Sequence, residues 1–349
     1  KTFQILSSLE DVGGDLNAYT TKERIWFHAS LPSNYLHKAI DILTDISFYS
    51  VFPEREIEKE KKVVLEEMHM YEDAPEDAIQ DEFESIIFPK HSLGYNILGT
   101  EKTLGSFNQK DLSGFLKKQL DTNRVAFAVL SPQSFSEVKK IADGFLPFVK
   151  EQKSKRERDK FKGFKATTVS KTISASQTHC VIGSLGLNIK EERRLSLFLL
   201  SNLLAGPGMT SMLNMALREK KGYVYTIESN FTSYTDTGLY SFYFATEPQK
   251  FEKALDVFHK EINKVRDKKL SGLQLHRLKE QIKGQLIMSE ENNSNFMQMM
   301  GKSYLDFGKI DSFEQIVKKI DNISSETIHD LANQLMNPDK MSKLIYVPE

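Results

Sequence analysis

A chain of 349 residues is longer than a single hydrophobic core usually grows, so two domains are the starting expectation. A formal charge of -1 with 27% charged residues gives no electrostatic ground for a nucleic-acid or anionic-membrane partner. No apolar run reaches the length of a membrane span, and the single Cys180 excludes an internal disulfide and a cysteine-built metal site.

The chain opens "KTFQILSSLEDVGG", neither a signal peptide nor a start methionine, so a fragment or processed chain is expected whose first residues lie elsewhere. In "GGDLNAYTT", Asn17 follows Gly13 and Gly14 and reads as a turn cap. "RIWFHASL" alternates as a strand does, and "YLHKAIDILTDI" has the spacing of an amphipathic helix. Next comes "EREIEKEKKVVLEEMHMYED", residues 54–73, a charged helix with Ile57, Val64, Met68 and Tyr71 as its apolar stripe. Glu58, Lys59, Lys62 and Glu66 make its solvated face.

Glu60 and Glu67 fit neither face. The neighbours of Glu67 three and four positions away are Val63, Val64, Met70 and Tyr71, and Glu60 is flanked by Ile57, Val63 and Val64. Carboxylates among such residues are expected to need a cation, a metal or donors from elsewhere, because burying them unpaired is expensive. Seven residues span about 10 Å of helix, so the two cannot bind one ion together. The competing reading is a structural ion pair with an Arg or Lys of another element.

His69 lies two residues from Glu67 on another helix face, and His91 sits in a loop that it is expected to stabilise. The segment "EQKSKRERDKFKGFK", residues 151–165, is dense in charge and reads as a linker between a domain at 1–150 and another at 166–349. "GPG" at 206–208 lacks the Lys-Ser/Thr of a phosphate loop. "GLYSFYFAT" reads as a strand and "FEKALDVFHKEI" as an amphipathic helix.

These last two elements repeat the first half. "WFHASLPSNYLHKAIDIL" and "FYFATEPQKFEKALDVF" superimpose, with Ala29, Pro32 and Asp41 matching Ala245, Pro248 and Asp256 after one gap. The following helix "QLHRLKEQIKGQL" then overlays "EIEKEKKVVLEEM", so that Leu278 replaces Glu60 and Gln285 replaces Glu67. A packing need common to both copies would keep both carboxylates, so their loss from the second copy favours a site confined to the first. The first copy is also expected to lack a strand and a helix at its front, because far more of the second copy precedes Gly222 than of the first precedes Gly13.

In order, "GGDLNAYTTKERIWFHASLP", "FPEREIEKEKKVVLEEMHMYEDAPED" and "HSLGYNILGTEKTL" resemble the first domain of the pitrilysin/insulinase zinc metallopeptidases, in the mitochondrial processing peptidase branch. "LLAGPGMTSMLNMALREKKGYVYTIESNFTSYTDTGLYSFY" is similar to that family's second domain. The resemblance implies an α+β fold of two homologous domains, each an antiparallel-rich sheet with helices packed on one side. It implies a zinc endopeptidase acting on peptides or unfolded polypeptide in an enclosed chamber, with one Zn per active subunit.

In that family a His-x-x-Glu-His helix supplies two His ligands and the general base, and a downstream Glu supplies the third ligand. By carry-over Glu67 is the ligand and Glu60 an assisting acidic residue. Arg218 and Tyr225 in "LREKKGYVY" match the pair that reaches substrate and transition state. Asn17 falls in an edge-strand stretch where a substrate peptide adds. A homodimer or a heterodimer with a related chain is implied.

No His-x-x-Glu-His occurs in these 349 residues, so the remaining ligands are expected upstream of Lys1, and the chain by itself is expected to be inactive. The alternative is a non-catalytic homologue serving as partner or scaffold subunit. The compartment is left open, a cytoplasmic place being favoured over a periplasmic or mitochondrial one.

Overall fold

The computed structural model describes residues 2–155 and 157–349, with the side chain of Thr2 excepted. Lys1, and Arg156 inside the expected linker, lie outside the described residues. The first half runs α1 (Thr2–Glu10), β1 (Asp15–Thr20), β2 (Ile25–Ser30), α2 (Leu36–Phe48), α3 (Glu54–Glu72), α4 (Pro75–Ile87), α5 (Glu101–Ser106), α6 (Gln109–Gln119) and α7 (Phe135–Ala142). The second runs β3 (Thr168–Ile173), β4 (Thr178–Gly186), α8 (Arg194–Ala205), β5 (Val224–Ser233), β6 (Gly238–Thr246), α9 (Phe251–Asp267), α10 (Gly272–Glu290), α11 (Asn293–Phe307), α12 (Phe313–Asp321), α13 (Ser325–Leu335) and β7 (Ser342–Pro348). A π-helical turn, Asn214–Glu219, precedes β5. The fold is α+β with antiparallel-rich sheets, as expected.

The repeat found in the sequence recurs in the elements. α3 and α10 are both 19 residues long, and α6 and α13 are both 11. Helix α4 follows α3 at the same offset as α11 follows α10.

The chain forms two compact units that are not contiguous in sequence. One holds Lys1–Leu65, Ile97–Arg158 and Met288–Asp311, and the other Glu66–Asn96, Asp159–Ile287 and Ser312–Glu349. The equivalent helices α4 and α11 are therefore exchanged, each belonging to the unit built mainly from the other copy.

In the first unit β1 and β2 pair antiparallel from Asp15↔Ser30 to Thr20↔Ile25. Helix α2 buries Leu36 and Ile40 against α7, and Ala142 completes that small cluster. Helix α11 joins the hairpin through an Arg24–Asp306 ion pair and a hydrogen bond from Tyr19 Oη to Gln298 Oε1 of 2.9 Å. Gly301 faces Ala128 and the Trp26 ring, where a Cβ would make ordinary contacts of 3.4 Å and 3.6 Å.

The second unit is built on a five-stranded sheet of order β3-β7-β4-β6-β5, in which only β3 and β7 run parallel. On one face Cys180, Ile182, Tyr240, Phe242 and Phe244 pack with α8, α9 and α13. On the other, Val181, Leu239, Tyr243, Leu344 and Tyr346 meet Ile79, Phe83 and Ile87 of α4. Strand β6, expected from its alternation, is buried at all nine positions because both faces are covered.

Candidate functional site

Helix α3 begins after Pro53 with Glu54 and Glu56 in its first turn, where carboxylates favour the positive end of the helix dipole. Its solvated charges pair locally, Lys59 with Glu56 at 2.9 Å and Lys61 with Glu58 at 2.7 Å. Glu60 and Glu67 have no ion-pair partner among the described residues, so the competing structural-pair reading gains no support.

The expectation of an expensive environment for these carboxylates needs correcting. Both are exposed, and their apolar neighbours Val63, Met70 and Tyr71 are themselves 50%, 60% and 42% exposed. Only Ile57 and Met68 are buried, on the adjoining face. The carboxylates therefore remain hydrated and no desolvation penalty forces a partner on them. In the part of α3 that belongs to the first unit Glu60 stands exposed beside Val63, and in the part that belongs to the second Glu67 stands exposed beside Met70 and Tyr71.

The second cluster of expected site residues is assembled by local backbone chemistry. The π-helical turn ends in a tight reversal: Lys220 N–H donates to Met215 O at 3.1 Å, Gly222 N–H to Arg218 O at 2.9 Å, and Tyr223 N–H to Leu217 O at 2.9 Å. Gly222 takes φ +58°, a left-handed conformation suited to glycine. Strand β5 then starts with a bulge between Val224 and Ile227. Bulges re-aim side chains, and Tyr225 emerges 77% exposed.

The Arg218 guanidinium lies 5.4 Å from the Tyr225 ring centroid, in cation–π range. Glu219 Oε1 is 3.8 Å from Arg218 Nε and helps to orient it. The exposed Tyr225 phenol and the half-buried Arg218 guanidinium, in contact through the ring face, are each able to donate to a carbonyl or an oxyanion. The resemblance singled out the two residues, but neither the π-helical turn nor the bulge beside them has a signature in "LREKKGYVY".

Asn17 stands on β1 opposite His28, exposed, and its Oδ1 accepts from Ala18 N–H at 2.8 Å. β1 pairs with β2 alone among the described strands, which makes it an edge. His91 is structural, as expected: its Nδ1 accepts from Leu93 N–H at 3.2 Å and its Nε2 lies 3.0 Å from Asp159 O. Those contacts put the ring proton on Nε2. His69 is exposed. Cys180 is fully buried, and burial pushes its thiol pKa up, so it is no nucleophile. Gly206 caps α8 in the "GPG" stretch, and a Cβ there would lie 2.7 Å from Asn202 O.

The zinc implied by the family resemblance needs three protein ligands in a catalytic site. Among the described residues no group of three or more His, Cys, Asp and Glu is placed to hold a metal. Glu67 by itself is a single exposed carboxylate, so the residues present here do not complete a zinc site.

Comparison with known proteins identifies the family. The family described as "Insulinase (Peptidase family M16)" matches residues 1–101, and "Peptidase M16 inactive domain" matches residues 106–282. The chain belongs to peptidase family M16.

The uncharacterized zinc protease YmxG of Bacillus subtilis is 33% identical over 98% of this chain and 83% of its own length. An uncharacterized zinc protease of Rickettsia felis is 30% identical over 98% of this chain and 82% of its own. Among solved structures, a peptidase M16 inactive domain from Pseudomonas fluorescens superimposes with a TM-score of 0.86 at 17% identity, covering 99% of this chain and 83% of that one. A protease from Helicobacter pylori gives 0.86 at 17% identity, covering 100% and 85%. These two likenesses concern the fold. Among the described residues no helix is long and apolar enough to cross a membrane.

Proposed function

We propose that the chain is part of a zinc-dependent endopeptidase that hydrolyses peptides or extended polypeptide segments in an enclosed chamber. The observation that carries this reading is on α3, where Glu60 stands exposed beside Val63 and Glu67 beside Met70 and Tyr71. The equivalent helix α10 has buried Leu278 and half-buried Gln285 at those positions. Glu67 is assigned the ligand role and Glu60 an assisting one, with two His and the general base supplied from outside these 349 residues.

Tyr225 and Arg218 are assigned to the substrate, donating to the carbonyl oxygen as it gains charge during attack. Asn17, on the β1 edge, is assigned to an extended substrate that adds as a strand. The homologous copies are taken as 1–150 and 166–349 with the linker between. The active assembly is taken as a homodimer or a heterodimer with a related chain.

The test uses the full-length protein of the gene. Zinc content and cleavage of a quenched peptide are measured for wild type and Glu67→Gln; both are expected to be lost in the variant, and unchanged zinc with unchanged cleavage rejects the assignment. The second reading is a non-catalytic partner subunit. A full-length protein that binds no zinc yet forms a stable complex with a related chain would establish it.

A further inference from the structure

Next to the turn that carries Arg218, and within the same compact unit, lies a cavity of about 600 Å³ between residues 210–223 and one face of α9. Five lysines line it, Lys220 and Lys221 from the turn and Lys253, Lys260 and Lys264 from α9. Against them stand two carboxylates, Asp256 and Glu261, and Glu261 is already engaged by Lys264 at 2.6 Å. Lys220, Lys221, Lys253 and Lys260 have no acidic partner among the described residues. A second cavity of about 360 Å³ shares Met212 and Lys264 with the first and adds Lys268, Lys269 and Asp267, but Lys269 is paired with Glu326 at 2.5 Å, so the unpaired basic charge is concentrated in the first cavity.

The lysines are exposed, and their charge is spread along the groove. From Lys253 to Lys264 the helix rises about 16 Å, the length of roughly five extended residues. Lysine is a hydrated point charge on a flexible stem, unlike the rigid fork that arginine offers to a single phosphate or carboxylate. Between the charges the wall is apolar, formed by half-buried Met212, Met215 and Val257, and methionine adapts to varied side chains. The hydrogen bonds that fix the Lys220–Tyr223 turn hold one bank of the groove in place. Length, spread charge and an apolar wall together fit an extended chain better than a compact anion.

We propose that this groove binds an acidic polypeptide segment in which carboxylates alternate with apolar side chains. The site lies outside the residues assigned to hydrolysis and is read by binding alone, so its failure is distinct from failure of the peptidase reading. Fluorescence anisotropy with a labelled ten-residue peptide of alternating Glu and Leu is expected to show saturable binding that weakens as salt rises from 50 to 500 mM. The matching Lys/Leu peptide is expected not to bind.

The double variant Lys253→Gln, Lys260→Gln should weaken binding roughly tenfold, the scale of two partly solvated charge pairs. A control pair on α12, Lys318→Gln with Lys319→Gln, should leave it unchanged, and melting curves verify that both variants fold. Unchanged affinity in the α9 variant, an equal loss in the α12 control, or tighter binding of inorganic tripolyphosphate than of the peptide would each overturn the proposal.

Discussion

Replacing Phe83 by Ala tests whether α4 is seated on the five-stranded sheet of the second unit. Phe83 is 1% exposed and lies with Ile79 and Ile87 on one face of α4, against Val181, Tyr243 and Leu344. Removing a buried Phe side chain costs about 3–5 kcal/mol from lost transfer energy and the cavity left behind. The polar ties at the helix margin survive the change: Tyr346 Oη donates to Glu82 Oε2 at 2.8 Å, Lys171 pairs with Glu82, and Tyr234 Oη donates to Glu84 Oε1 at 3.3 Å. Partly exposed pairs contribute at most about 1 kcal/mol each, too little to mask the cavity.

Urea unfolding followed by far-UV circular dichroism, with amide hydrogen exchange read on α4 and β4, checks this. The expected result is a loss of about 3–5 kcal/mol in the transition that includes the sheet, with faster exchange in α4. Phe107→Ala, at a 43% exposed position, should stay within about 0.5 kcal/mol. A loss below about 1 kcal/mol for Phe83→Ala, or unaltered exchange in α4, would refute the placement of this helix.

Acid should destabilise the fold through two histidines. Burial lowers the pKa of His179, whose Nδ1 lies 2.9 Å from Tyr243 Oη, with Glu76 opposing, and burial followed by Lys343 lowers that of His259 against Asp256 and Asp339. With folded values below the unfolded value of about 6.5, the unfolded chain takes up protons first. This stability is full above about pH 6.5 and lost as pH falls toward the folded values, by up to roughly 1.4 kcal/mol per pH unit for each histidine. His179→Gln should flatten the acid limb of a denaturation series, and an unaltered slope would discount it. Gly183→Ala places a Cβ against the Tyr240 carbonyl, so a loss of about 1–3 kcal/mol or more in thermal or urea unfolding is expected. In the first unit Arg24→Ala strands Asp306, whose Oδ2 already lacks a partner, and a loss of about 3–5 kcal/mol is expected where melting of that unit is followed.

Regular elements whose partners lie nearby were readable from the residues. The strand in "RIWFHASL", the helix in "YLHKAIDILTDI" and the matched pair α3 and α10 all follow from side-chain periodicity, which local backbone geometry obeys. The exchange of α4 and α11 was not readable. A repeat in sequence reports common descent of two segments, whereas the unit each helix joins depends on which sheet face its apolar stripe can cover. The apolar stripe Ile79, Phe83 and Ile87 marks a buried face without saying whose.

The same limit governs the candidate site. Periodicity placed Glu60 and Glu67 among apolar residues and implied burial, yet burial is decided by what lies over the helix, and Val63, Met70 and Tyr71 are uncovered. The contrast with α10 thereby becomes a difference in what covers the two helices. At the position of Glu60 the second copy has Leu278, 4% exposed, so the equivalent place on the equivalent helix can be closed with an aliphatic side chain. Exposed carboxylates beside exposed Val, Met and Tyr contribute nothing measurable to stability through ion pairs, since none is formed. Ion pairing among the described residues therefore does not account for acids at Glu60 and Glu67, and exposed carboxylates need no partner to be tolerated, so their assignment to zinc stands or falls with the Glu67→Gln measurement.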